Sequence, residues 1–435
     1  MQIKLNNIAC SLIVLMPVLL ITGPLLSDLA VFLIDFIFIY FLIKEKKFDI
    51  INNNLFKLLI LFNIFISIRS IFTEDVLLSL KSSMSYFRFT FLIFAIGFFL
   101  HKNDKLIYYF SKGIIITILI LCLDALFQFF FGFNTLGFEI INLDKLNGLF
   151  GDEAVLGSYL IRFLPLLLAC FLHLFSDNKK HLFHILLLFI GVLIFLSGSR
   201  SSFVLFIIFF LILLTLFSNY RKIILINFFI LMSLLTLLLL KYDFNKISKN
   251  QYHDNKIKYK MYYNIIDPFK SIFIENKKTD KIIIFTKIYQ THYETAYKMF
   301  NDNKIFGVGN KMYRKLCDDP KYYISKHSCT THPHNFYIQI LAENGLVGFL
   351  FILSLFLYLC LQLLKEFYYR NIKKQFNLDN KSLLIFIGIF LNLWPIIPSG
   401  NFYNNWLSIL IYFPIGFLFY FNNIFKIKYY GQINN

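Results

Sequence analysis

The ten-residue stretch KHSCTTHPHN, from Lys326 to Asn335, concentrates side chains that can bind a metal or move a proton. It holds three of the nine histidines and one of the six cysteines of the chain. Imidazole nitrogen and thiolate sulfur are the ligands that zinc takes in structural sites. A histidine can also act as a general base without a metal. The candidates for either role are His327, Cys329, His332 and His334.

The composition indicates the environment of these residues. Of the 435 residues, 58% are hydrophobic and 19% are aromatic, and 56 are phenylalanine. Soluble domains are about half apolar or less, so the excess must be buried in something other than a protein core. Long continuous apolar runs, separated by short polar clusters, are typical of a polytopic helical membrane protein. The lack of alternation argues against a transmembrane β-barrel.

We therefore predict an all-α membrane protein with about twelve transmembrane helices. The predicted spans are 8–24, 28–43, 55–72, 86–100, 113–132, 155–176, 181–197, 201–217, 222–240, 335–361, 383–397 and 401–421. The first span has no small-residue cleavage site and is predicted to run through Pro24 into the second, which distinguishes it from a signal peptide.

Lysine and arginine are distributed unevenly between the two sides of the predicted bundle. With the N-terminus inside, the cytoplasmic connections include the basic clusters 44–47, 102–112 and 365–381. The short connections on the other side hold little more than Lys81, Lys145 and Arg200. The positive-inside rule then places both termini in the cytoplasm of a multi-pass protein of the bacterial inner membrane.

Residues 241–333 form the one long polar connection, which this orientation places in the periplasm. The loop contains 18 Lys and Arg against 9 Asp and Glu, half of the net charge of +18. A basic surface there suits phosphates of membrane lipids or lipid carriers, whereas nucleic acid is not available. The alternative is a solvated basic face. The predicted regions are 1–240 with nine spans, this loop, and 334–435 with three spans.

The loop contains an amphipathic pattern and two cysteines. From Ile282 to Phe300, apolar residues recur at helical spacing, which predicts a helix with its apolar face on the membrane or on the mouth of the bundle. Cys317 and Cys329 lie in an oxidising compartment, where a disulfide is favoured over two free thiols. A zinc site would need Cys329 as a thiolate, so we expect no metal and no cofactor.

Charged residues inside apolar spans are costly, so each is a functional candidate with a structural alternative. Arg88 is predicted to open span four, Arg69 lies late in span three and Arg162 interrupts span six. Snorkelling or an ion pair explains each of them equally well. Arg200 follows small residues in the turn LSGSRSSF, where backbone N–H groups beside a guanidinium can cradle an anion.

Pro333 is predicted to be the first residue of span ten, where proline is favoured, which places His334 in the first helical turn. The positive end of a helix favours neutral imidazole, the form that accepts a proton. At about 100° per residue, Gly345 and Gly348 fall on the same side of the helix as His334. They predict a smooth face against which a neighbouring helix packs closely.

The stretch HNFYIQILAENGLVG matches the H-N-x9-G-x-x-G signature of the O-antigen ligase and polymerase family, through His334, Asn335, Gly345 and Gly348. SGSRSS resembles the Ser-Arg turn of that family, and IFGVGNKMYR resembles its glycine-rich segment followed by arginine. The resemblance covers most of residues 80–350 and implies a GT-C-like membrane fold.

The resemblance implies transfer of a glycan from an undecaprenyl diphosphate carrier to an acceptor hydroxyl at the periplasmic face. In ligases the acceptor is lipid A–core, and in polymerases it is another lipid-linked glycan; both work with inversion and without a metal. His334 would be the general base, Arg200 and Arg314 would hold the diphosphate, and Arg88 would support it. The chain departs from the family by lacking an arginine on the amphipathic helix, where Lys287 or His292 would substitute.

Three other functions remain as alternatives. A polymerase of the same family is hardly separated from a ligase by this sequence. A transporter of lipid-linked sugars does not need a large basic loop that ends at a histidine, and usually shows paired repeats. A non-catalytic assembly partner would not need His334, Arg200 and the glycine pair. The prediction is a membrane glycosyltransferase, with ligase ahead of polymerase.

Overall fold

The computed structural model describes residues 2–140, 145–175, 180–222, 224–226, 228–230, 233, 262 and 285–422. Within these residues the chain is helical and has no β-strand, apart from one isolated bridge between Phe133 and Glu139. The predicted all-α class is confirmed for this part of the chain. Most of the predicted ninth span, and residues 241–261 and 263–284 of the predicted loop, lie outside the described residues.

The helices of the described part follow the predicted spans closely. They are α1 (Gln2–Ile21), α2 (Pro24–Glu45), α3 (Asn54–Ile71), α4 (Val76–Lys102), α5 (Leu106–Phe131), α6 (Leu156–Leu174), α7 (Lys180–Leu196), α8 (Arg200–Leu216), α9 (Lys287–Asp302), α10 (Tyr313–Leu316), α11 (Phe336–Tyr368), α12 (Asn380–Asn392) and α13 (Asn405–Phe421).

Seven helices of the described residues are long and apolar enough to cross a membrane. These are α1 to α6 and α11, and four shorter apolar helices, α7, α8, α12 and α13, accompany them. A chain with this many apolar helices is a multi-pass membrane protein. The count of twelve spans and the periplasmic position of the loop stay predictions.

Two predicted boundaries are wrong for local reasons. The first helix ends at Ile21, and Pro24 begins α2, because proline lacks an N–H and is tolerated in a first turn. Helix α4 begins at Val76 rather than at 86, since the side chain of Asp75 accepts a hydrogen bond from Leu78 N at 3.0 Å. Arg88 therefore lies in the middle of α4 and does not open it.

The chain divides into two compact units. The first contains Met1–Phe110, Lys287–Gln362 and Asn392–Asn435, and the second contains Ser111–Thr286 and Leu363–Leu391. In the first unit α4 packs against α2, α3 and α13, and in the second α6 packs against α7 and α8. The predicted division into 1–240, 241–333 and 334–435 rests on membrane topology, which compactness does not test, and stays a prediction.

Helix α11 is interrupted at Gly345, whose φ of 64° and ψ of −160° are not helical. The segment Lys304–Gly309, called the insertion segment below, runs along this break and replaces the helical hydrogen bonds that the break removes. Four backbone bonds join the two: Val308 N to Ala342 O (2.9 Å), Gly309 N to Glu343 O (2.8 Å), Leu346 N to Lys304 O (2.8 Å) and Val347 N to Ile305 O (3.2 Å).

Glycines permit this close approach of two backbones. Gly307 has a φ of +71°, and a Cβ added to it would overlap the backbone of Glu343. A Cβ on Gly345 would likewise overlap the carbonyl of Ile305. The predicted glycine face for a neighbouring helix is therefore wrong: the partner of Gly345 is the insertion segment, and Gly348 faces side chains of its own helix. The prediction assumed a continuous helix through Gly345.

Arg69, at the end of α3, holds the insertion segment from the other side. Its Nε and Nη2 donate to the carbonyl of Gly307 at 2.9 and 2.6 Å, and its Nη1 donates to that of Phe72 at 2.7 Å. The guanidinium thus satisfies backbone acceptors and forms neither of the two structures expected for it, a snorkelling side chain or an ion pair.

A buried cluster of amides fixes the same region. Asn344 Nδ2 donates to Asn310 Oδ1 at 2.6 Å, and Tyr403 OH lies between that oxygen, 2.8 Å away, and Asn344 Oδ1, which share its single proton. Asn310 Nδ2 lies 3.4 Å from Ser70 Oγ. Because buried polar groups are costly when unpaired, this cluster specifies one arrangement of α3, α11 and the residues before α13.

We predict that Gly345→Ala lowers the free energy of unfolding by roughly 2 kcal/mol more than Gly151→Ala does. Gly151 has a similar backbone conformation, with φ of 60°, but a Cβ there meets nothing within 4 Å. Both variants share the backbone strain, and only the first adds the overlap with Ile305. Denaturant unfolding of the purified protein in detergent measures both, and equal losses would contradict the fit described for the insertion segment.

Candidate active site

His334 precedes α11 and does not belong to its first turn. The helix begins at Phe336, and Asn335 caps it: its Oδ1 accepts hydrogen bonds from Tyr337 N at 3.0 Å and Ile338 N at 3.2 Å. The predicted helix start at Pro333 is therefore wrong, because asparagine is among the strongest N-cap residues. His334 itself has a left-handed φ of +57°.

The residues before α13 hold this left-handed histidine in place. Ser399 N donates to the carbonyl of His334 at 2.8 Å, and Ser399 Oγ accepts from Phe336 N at 2.9 Å. Asn335 Nδ2 donates to the carbonyl of Pro395 at 2.7 Å. A residue of this type costs about 1–3 kcal/mol in the left-handed region and persists only where its surroundings fix it.

Aromatic rings from two elements surround the ring of His334. The centroids of the His332, His292 and Tyr289 rings lie 4.3, 5.4 and 5.6 Å from that of His334. His292 and Tyr289 belong to α9, and His292 is buried. The structure therefore brings His292, a predicted substrate-binding residue, next to the predicted base. Lys287, the other candidate for that position, is exposed.

Helix α9 reaches the site by packing on the lobe that follows the insertion segment. This lobe is closed by a disulfide bond between Cys317 and Cys329. It begins at Lys287, later than the predicted Ile282, which lies outside the described residues. Its apolar face contacts Val308, Met312 and Tyr313 through Ala296 and Met299. The amphipathic face thus contacts protein here.

Cys317 and Cys329 are joined by a disulfide bond, with their Cα atoms 5.0 Å apart. Among the described residues, these two sulfurs and Asp318 form the group with the spacing of metal ligands. The sulfurs are bonded to each other, so they are not thiolates. Tyr313 OH donates to the carbonyl of Ser328 at 2.8 Å, which ties the lobe to α10.

The two histidines beside His334 are neutral at physiological pH. Burial lowers the pKa of His332 to about 3, helped by the nearby charges of His334 and Arg314. Burial also lowers the pKa of His292. In the described structure, His332 Nε2 and His292 Nδ1 are buried and have no hydrogen-bond partner. The ring of His334 is thus flanked by two imidazoles that carry no charge.

Positively charged side chains gather nearby in the same unit. Lys311 interacts electrostatically with Arg314, Lys81 and Arg88, and burial together with these charges lowers the pKa of Lys311. Arg314 Nε is buried without a hydrogen-bond partner among the described residues. Arg88 forms an ion pair with Asp28 at 2.7 Å. Such a group of cations is suited to an anion with several negative charges.

Lys81 and Lys311 were not singled out from the sequence. The spacing of seven residues between Lys81 and Arg88 places them on one face of α4, which is a signal that could have found the first. Lys311, whose φ is a left-handed 59°, carries no such signal.

Arg200 belongs to the second unit, where it begins α8. Ser199 precedes the helix, and its hydroxyl oxygen lies 2.6 Å from that of Ser202. Gly157 allows α6 to approach this turn, since a Cβ there would overlap Ser197. The role of Arg200 with His334 stays a prediction.

Comparison with known families gives a match over part of the chain. Residues 185–353 match the family model described as O-Antigen ligase. The matched residues run from α7 into α11 and include Arg200, Arg314 and His334. The predicted resemblance to the O-antigen ligase family is thus confirmed. No curated protein matches the chain significantly.

We predict that stability depends on pH through His332. Its pKa is about 3 in the folded protein and about 6.5 when unfolded, so the unfolded chain binds more protons between these values. The contribution is complete above pH 6.5 and is lost as the pH falls toward 3. His332→Asn should flatten the pH dependence of the unfolding temperature between pH 7 and 4. His181→Asn, at an exposed histidine, is the control, and a slope unchanged by His332→Asn would contradict the assignment.

Proposed function

Because residues 185–353 match the family model described as O-Antigen ligase, we propose that the chain moves a glycan from undecaprenyl diphosphate to a hydroxyl of lipid A–core. The reaction takes place at the periplasmic face of the bacterial inner membrane, with both termini in the cytoplasm. The observation that carries the proposal is the position of His334 beside neutral histidines and in the same unit as a group of cations.

In the proposed reaction, the imidazole of His334 accepts the proton of the acceptor hydroxyl. The hydroxyl oxygen then attacks the anomeric carbon, and the bond from that carbon to the diphosphate oxygen breaks. Attack from the side opposite the leaving group inverts the anomeric configuration. The electron pair leaves with the diphosphate, whose added charge fixed cations stabilise.

The cations of the first unit have two proposed roles, which are to orient the diphosphate and to balance its charge. Arg314 has an unpaired buried Nε and can bind phosphate oxygens directly. Lys311 adds a charge that other cations raise in energy, so an anion is favoured there. Arg88 is already paired with Asp28 and supports the diphosphate site from α4. Arg200 joins them in the proposal from the resemblance, and no cofactor or metal is needed.

The alternative proposal, an O-antigen polymerase, uses the same residues and differs only in the acceptor, a second lipid-linked glycan. A transporter of lipid-linked sugars is less well supported, because transport does not require a fixed histidine beside an anion site. Lipopolysaccharide and carrier-linked glycans from a deletion strain separate these functions. Loss of a ligase leaves bare core with long chains on the carrier, and loss of a polymerase leaves core capped by one repeat. No change in either pool would contradict both.

We predict that His334→Ala lowers transfer by about 10²- to 10⁴-fold, the usual contribution of a general base. Complementation of the deletion strain with the variant, read as capped lipopolysaccharide and normalised to protein in the membrane, measures the effect. His327→Ala, at a histidine of the same loop outside the ring cluster around His334, is the control and should complement. Transfer by His334→Ala near the wild-type level would remove the base assignment.

A further inference from the structure

Glu343 is a fully buried acid in α11, nine residues after His334. Its Oε1 accepts a hydrogen bond from Tyr313 N at 3.1 Å, and its Oε2 accepts from Gln339 Nε2 at 3.0 Å. The backbone N–H of Lys311 also donates to this carboxylate. The partners of Glu343 are thus the side-chain amide of Gln339 and backbone groups of the segment that carries the cations.

The surroundings require an acceptor at position 343. Gln339 Oε1 accepts from Phe402 N at 3.0 Å, and its Nε2 donates to Asn401 Oδ1 at 3.0 Å. The Asn401 oxygen in turn accepts from Tyr403 N at 2.8 Å, so neither amide can be reversed without loss of a bond. The Nε2 of Gln339 therefore points at Glu343 as a donor, as does Tyr313 N. A side-chain amide at position 343 has a single oxygen, so its NH2 would face one of these two donors.

The carboxylate also acts on the cations by its charge. Arg314 and Lys311 both interact electrostatically with Glu343. Among the described residues, Glu343 forms no ion pair in direct contact with a cation, so the charge of Arg314 is not cancelled by it. Because Glu343 accepts a hydrogen bond from Tyr313 N, next to Arg314, it fixes the backbone that carries this cation while leaving the guanidinium donors for another anion.

We propose that Glu343 is a positioning residue that sets Arg314 and Lys311 at a fixed place relative to His334, so that the diphosphate of the donor and the acceptor hydroxyl meet. The inference rests on the proposed function, in which Arg314 binds that diphosphate. Helix α11 then carries Glu343 and begins at the cap beside His334. The base and the cations are therefore both positioned relative to this one helix.

The test is a double-mutant cycle in binding of undecaprenyl diphosphate to the purified full chain in detergent. The variants are Glu343→Gln, Arg314→Gln and the two combined. We expect each single change to raise Kd by about tenfold, and the combined change to raise it by no more than about twentyfold, because both act on one contact. A purely structural role of Glu343 would make the effects multiply to about a hundredfold.

A swap of donor and acceptor gives a second, independent readout. Gln339→Glu combined with Glu343→Gln restores a donor facing an acceptor between the two positions, at the cost of an unfavourable contact with Asn401. We expect this combination to recover part of the affinity lost in Glu343→Gln, and Gln339→Glu alone, which places two acceptors together, to recover none. The swap also tests the inference where Glu343→Gln does not fold.

The outcomes separate this inference from the proposed function. If Arg314→Gln leaves Kd unchanged, the assigned diphosphate site is wrong and the inference falls with it. If Arg314→Gln weakens binding but Glu343→Gln does not, or the two effects multiply, the site stands and the positioning role of Glu343 is overturned. Non-additive losses with partial recovery in the swap support both.

Discussion

The break of α11 at Gly345 is the constraint on which the site depends. A membrane interior offers no water to backbone groups released from a helix, so a broken helix must find other partners. The insertion segment supplies them with four backbone hydrogen bonds. The chain continues from the insertion segment to Lys311 and Arg314. These residues are consequently held at a fixed position along α11, the helix whose cap, Asn335, directly follows His334. Removing the break would separate the two halves of the proposed chemistry.

The cations and the histidines of the candidate site influence each other electrostatically. Positive charge near a histidine lowers its tendency to hold a proton, and burial acts in the same direction. Arg314 interacts electrostatically with His332, whose ring lies beside that of His334, so the histidine cluster and the cations share one electrostatic environment. In the proposed reaction, departure of the diphosphate changes the electric field at these histidines.

Much of the architecture could be predicted from the sequence, because apolar runs in a chain of this composition have few alternatives. The boundaries that failed did so where two residues compete for one position. Pro333 and Asn335 can each begin a helix, and the choice is made by Ser399, which lies far away in the sequence and holds the backbone on both sides of Asn335. The hydrophobic periodicity of the sequence does not reveal a partner that lies so far away along the chain.

The site was partly predictable for a similar reason. His334 and Arg314 stand in short motifs, whereas Lys81, Lys311 and Glu343 acquire their meaning only from contacts across the fold. Gly345 was correctly predicted to allow a close contact, but the predicted partner was wrong, because a helical wheel assumes that the helix continues. Arg200 of the second unit is recognisable from its turn of small residues.

The clamp of Arg69 on Gly307 has a consequence for biosynthesis. The two residues are 238 positions apart, so α3 is synthesised long before its carbonyl partner exists. A chain entering the membrane from its N-terminus carries this guanidinium without that acceptor until the later segment arrives. Contacts of such long range form late. Assembly of the candidate site is therefore tied to synthesis of the later segment, and a product truncated before Gly307 retains most of its apolar helices without this clamp.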